Sequence, residues 1–88
     1  MLIHFTINGI HTPIQGILTD CTLVVQAQVS LTGDDFHLDT VLSVVALSQS
    51  EDSTIHFDEL EFDELEGAVQ GLVVAKAERF TRGQFIED

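Results

Sequence analysis

Tryptophan and tyrosine are absent, and proline and cysteine occur once each. Cations are almost as scarce: Lys and Arg number three in 88 residues, and none precedes Lys76. Each shortage excludes something. With Cys21 alone no intrachain disulfide can form, which points to a reducing compartment. With only three Lys and Arg, all near the C-terminus, there is little to neutralise phosphates, so neither nucleic acid nor an anionic membrane surface is expected as a direct partner. No run approaches the ~20 apolar residues of a membrane-spanning helix. MLIHFTINGIH carries no cationic segment ahead of an apolar run, so no secretory signal is read there. The expectation is a cytoplasmic protein, native or delivered to a host cell. No Gly-rich phosphate loop and no nucleophile–base spacing occurs, so no enzyme and no cofactor is expected.

What is present is apolar and acidic. Hydrophobic residues make up 44% of the chain and the formal net charge is −12. Disorder requires low hydrophobicity together with high charge, and this mean hydropathy is +0.24. A single folded domain over residues 1–88 is therefore expected, with its charge concentrated. Residues 1–50 hold only Asp20, Asp34, Asp35 and Asp39 as acids. The dense run comes later, in FDELEFDELEG.

The clearest element is CTLVVQAQVSLT, 21–32. Its odd positions are all apolar, and its even positions are polar apart from Val24. That period of two marks a strand with one buried face. The outer face is uncharged Gln, Ser and Thr, which gives weak protection against association. FHLDTVLSVVALS, 36–48, follows a Gly33-Asp34-Asp35 turn. From Val41 to Leu47 only Ser43 is polar, so a strand there is apolar on both faces and needs two covers. A chain this short has little material for the second, and a homodimer is inferred.

Asn8-Gly9 is the strongest two-residue hairpin signal. It predicts a turn with Ile7 opposite Ile10 and His4 diagonal to His11, on an arm that Pro13 confines to a sheet edge. His4 and His11 are then weak candidates for a metal pair, short of the four ligands of a structural zinc site. SQSEDS is a loop and STIHF a short strand. The stretch from Asp63 is read as a helix: Asp63 as N-cap with Glu66 three residues on, then Leu65, Ala68, Val69, Leu72 and Val73 on one face, and Gly83 as its stop. Gly67, Gly71 and Ala75 form a small-residue stripe that predicts a close approach to the sheet or to a symmetry mate. The fold class is α+β: a small antiparallel sheet of four or five strands with one C-terminal helix packed on a face. An all-β fold is the alternative.

The doubled FDELE is too short to be a repeat unit. Its first copy ends a strand and its second opens the helix. The helix N-terminus accounts for Asp63, Glu64 and Glu66. Asp58, Glu59 and Glu61 are surplus to it. Together these six acids approach the charge density of duplex DNA, about one charge per 1.7 Å of axis. They resemble no EF-hand loop, which needs a glycine at its sixth position. They are the expected partner-binding residues, with Asp34, Asp35 and Asp39 as an extension. The reading is a non-catalytic binding protein that docks on a basic protein, in its most specific form a nucleic-acid mimic inhibiting a nucleic-acid-binding protein. In size and acidity the chain resembles antirestriction and anti-CRISPR inhibitors encoded by phages and other mobile elements, a likeness of composition and not of motif. The alternative is an oligomeric structural or accessory subunit that associates through its uncharged β faces.

Overall fold

The alternation centred on Leu23 and Val25 runs further than its sequence signal. The computed structural model describes residues 1–85. It has four strands, β1 (Leu2–Ile14), β2 (Ile17–Thr32), β3 (Asp35–Gln49) and β4 (Ile55–Leu60), then a 3₁₀ turn (Phe62–Glu64) and a helix α1 (Gly67–Phe85). The strands form one antiparallel sheet in chain order, β1-β2-β3-β4. This is the expected α+β arrangement, and α1 excludes the all-β alternative.

Asn8-Gly9 is not a turn. β1 continues through it, and the register steps from Ile7 opposite Leu23 to Ile10 opposite Cys21. Gly9 has φ +70 there. A bulge of this kind selects glycine for the same reason an I′ turn does, because a side chain resists positive φ. The bulge shifts the parity, so Ile3 and Phe5 before it and Ile10, Thr12 and Ile14 after it are all buried. It also lets the long β2 keep a hydrogen-bonded neighbour from Leu18 to Gln28. The hairpin turn falls instead at Gln15-Gly16, with φ of 53 and 82, between paired Ile14 and Ile17. Positive φ at both central residues is the requirement of a I′ turn. The Gly33-Asp34 turn lies where expected, between Thr32 and Asp35.

α1 lies across one face of the sheet. Its buried line is Val69, Val73, Ala77 and Thr81, each one turn beyond the last, and Leu65, which follows the 3₁₀ turn ahead of the helix, is buried with them. These meet Leu23, Val25, Val29 and Val44, all at most 1% exposed. The rings of Phe5 and Phe80 stand 6.2 Å apart, tilted by 33°. The buried Thr81 hydroxyl donates to the Ala77 carbonyl at 2.8 Å, which satisfies it inside an apolar layer.

The helix boundaries correct the sequence reading. Asp63 lies in the 3₁₀ turn and does not cap α1. The helix begins at Gly67, and the Glu66 carbonyl accepts its first bond, from Gln70 N–H at 2.9 Å. Gly83 lies inside the helix and does not end it. Ala68 and Leu72 face solvent. Gly67 and Gly71 make no close approach to the sheet, since a Cβ on either would meet no atom of the chain within 4 Å.

The smallest dimension is 18 Å, room for one helix of about 10 Å diameter on one sheet. The radius of gyration is 14.0 Å, against about 12 Å for a chain of this length. The described residues form a slab, and among them none covers the second face of the sheet.

Candidate functional site: the acidic junction and the open sheet face

The period of two divides the acidic run. In β4, Asp58 stands opposite Ala46 and Glu59 opposite Val45. Ala46 is fully buried beneath the helix side, so Asp58 points to the covered face, half-buried, and Glu59 to the open one. These two do not share a surface.

The other four do. After Leu60 the chain leaves the sheet and turns: Glu64 N–H donates to the Glu61 carbonyl and Leu65 N–H to the Phe62 carbonyl, both at 3.1 Å. Gln70 reaches back from α1, its Nε2 donating to the Phe62 carbonyl at 2.9 Å. The junction is thereby tied to the helix while the side chains of Glu61, Asp63, Glu64 and Glu66 stay exposed. β4 pairs only with Val44–Gln49, so the first half of β3 has a free edge beside this turn. Asp39, Thr40, Glu61 and Asp63 line a cleft of about 320 Å³ there. Glu61, Glu64 and Glu66 line a second, of about 140 Å³, with Thr12 and Leu60. Glu61 lines both, so the two clefts adjoin and five acidic residues line them together.

Asp39 therefore joins the acidic surface, and its Oδ1 accepts a bond from the Ser30 hydroxyl at 3.3 Å. Asp34 and Asp35 do not. They sit at the β2–β3 turn, where Arg82 Nη2 donates to the Asp34 carbonyl at 2.7 Å. Arg82 also pairs with Glu78 at 2.8 Å. The cations of α1, Lys76, Arg79 and Arg82, lie in its second half, roughly 14 to 23 Å along the helix axis from its start beside the acidic junction. Among the described residues no ion pair involves any acid of the 58–66 run.

The histidines do not meet. His4 and His11 lie on the same strand, roughly 20 Å apart along it at the usual rise. His11 faces Asp20 at 3.9 Å instead. Among the described residues no three His, Cys, Asp or Glu side chains converge as metal ligands. Cys21 is buried. Burial, then the charges of Asp20 and Asp58, push its thiol pKa up, so it stays protonated at neutral pH and a poor nucleophile.

The uncovered face carries the residues that sequence periodicity left without a location. Val24 pairs with Val45, and Leu47 lies between Thr22 and Phe57. Phe57 is 71% exposed and Ile55 57%. No helix among the described residues is long and apolar enough to cross a membrane. Comparison with protein-family models, curated proteins and solved structures finds no match.

Proposed function

We propose that this protein is a non-catalytic binding protein whose acidic junction docks on a basic surface of another protein. The supporting observation is the cluster of Asp39, Glu61, Asp63, Glu64 and Glu66 lining two adjoining clefts, beside a turn held by backbone and Gln70 hydrogen bonds, with no ion pair to any of them among the described residues. Structural charge networks pair their acids; this one leaves them outward, where they steer and pair with Lys and Arg. In its most specific form the partner is a nucleic-acid-binding protein whose phosphate groove the carboxylates fill, as in an inhibitor carried by a phage or other mobile element.

Capture from lysate at low and high salt tests this, with added duplex DNA as competitor. The expected result is a nucleic-acid-binding protein that is retained at low salt and released by salt or by DNA. It is lost when Glu61, Asp63 and Glu64 are reversed to Lys. Retention indifferent to salt and to the reversals would sink the reading.

A second reading is favoured by the open sheet face. There the protein is a structural or accessory subunit associating through uncharged β faces, and the acids serve only solubility.

A further inference from the structure

We infer that the uncovered face of the sheet is the contact surface of a homodimer, in which two copies pack sheet against sheet. The inference takes its surface from the second reading above and does not depend on the acidic junction.

Its first support is the two-sided character of β3. Val44 is 1% exposed under α1, while its neighbour Val45 lies on the open face beside Val24. Leu47 and Phe57 extend this apolar ridge to the edge strand. A phenyl ring with 71% of its surface in water on a β-strand is an anchor without a pocket, and aromatic anchors of this kind dominate interface energies.

The second support is charge. A chain of net charge −12 can meet its own copy only where its acids are not. The ridge is bordered by Thr22, Gln26 and Ser43, which are neutral and able to bond to one another across a two-fold axis. Glu59 is on the outermost strand, where it remains in water. Asp20 and Asp39 lie toward the two ends of this face and Glu59 on its edge strand; its centre offers a basic partner no counter-charge and a second copy no facing acid.

The third is area. Four strands at the usual spacing span about 19 Å, and the molecule is 47 Å long. Allowing for the short β4, the face offers on the order of 700 Å², close to the ~800 Å² that each partner contributes to a standard stable interface. Two such faces stacked about 10 Å apart complete a four-layer α–β–β–α body. Both apolar faces of β3 are then covered. The Glu61–Glu66 junction stays outside, one on each copy.

The experiment is sedimentation and light scattering of the full chain over a concentration series. The expected mass is twice the 9.7 kDa of one chain. Phe57→Gln raises the dimer dissociation constant about thirtyfold or more, the size of an interface hot spot. Ile55→Gln, at a second exposed position, does the same in the same direction, and circular dichroism confirms that both fold. Leu72→Gln, on the outward side of α1, leaves the dimer intact. Raising salt tightens the dimer by screening like charge, the reverse of its effect on acidic docking. A monomer at every concentration overturns the inference and leaves salt-sensitive capture of a basic partner untouched. So does a dimer dissociated by Leu72→Gln but not by Phe57→Gln.

Discussion

Val44 and Val45 are adjacent, chemically identical and on the same strand, yet one is sealed under a helix and the other faces outward. The whole sheet repeats that contrast. Toward α1 it presents Leu23, Val25 and Val29, none with measurable exposure; away from α1 it presents Val24, Gln26 and Gln28, all half-buried. The covered face carries the stability of the monomer. The open face contributes apolar surface that the monomer does not use. The difference shows that β-branched side chains specify a strand, whereas which side becomes core depends on where α1 lands.

The contrast breaks most sharply at Leu23. Leu23→Ala opens a cavity in the sealed layer and should lower unfolding free energy by about 3 kcal/mol, read from the denaturant midpoint. Val24→Ala, next to it, should cost well under about 1 kcal/mol in the monomer. Equal losses would mean the open face is core after all. Next in size is partner binding: reversing Glu61 and Glu64 to Lys should weaken capture of a basic partner about tenfold or more with no shift in the denaturant midpoint. Smaller again is the bulge. Gly9→Val puts a β-branched residue at positive φ and should cost about 1–2 kcal/mol, although a Cβ there meets no neighbour.

The smallest effect concerns acid stability. Asp52 lies in the β3–β4 loop, where the Ser50 hydroxyl and Thr54 N–H donate to its Oδ1. These bonds lower its pKa from 3.8 to about 2. A depressed folded-state pKa stabilises above the unfolded value, and that contribution fades as pH falls through the folded one. Asp52→Asn should therefore narrow the loss of thermal stability between pH 3.8 and about 2, with little change near neutrality. An unchanged acid limb would show that the loop bonds do not matter to folding.

Much of this was readable in the residues. The alternation from Cys21 to Leu31 defined β2 and its buried side. The apolar run at Val41–Leu47 marked a strand with apolar side chains toward both faces, as Val44 and Val45 show. Pro13 placed the first arm at an edge. The misreadings share one physical origin: local signals that two structures can use. Asn8-Gly9 serves a bulge as well as a turn, and only the length of β2 decides between them. Asp63 with Glu66 suits a helix cap, but the chain takes a 3₁₀ turn first. Leu65, Ala68, Val69 and Leu72 fit a broad helical stripe, whereas the sheet admits only the narrow line through Val69, Val73 and Ala77.

The site was legible in part. Contiguity in sequence suggested six acids acting together, but alternation in β4 sends Asp58 and Glu59 to opposite faces. Asp39 joins Glu61 and Asp63 because β4 stops short of it, and no local pattern reports where a strand stops. Asp34 and Asp35 looked equivalent to Asp39 in the sequence. Arg82, 48 positions from Asp34, holds their turn at the other end of the slab.

Because the sheet is assembled in chain order, each strand finds its partner in the strand just made. Such a meander needs no distant segment to close, and pairing by local contacts is fast. The helix is the exception. It follows all four strands, and until it docks the sheet presents apolar side chains on both faces. During synthesis the first sixty residues are therefore the aggregation-prone state of this protein, and α1 acts as the last step that makes them safe.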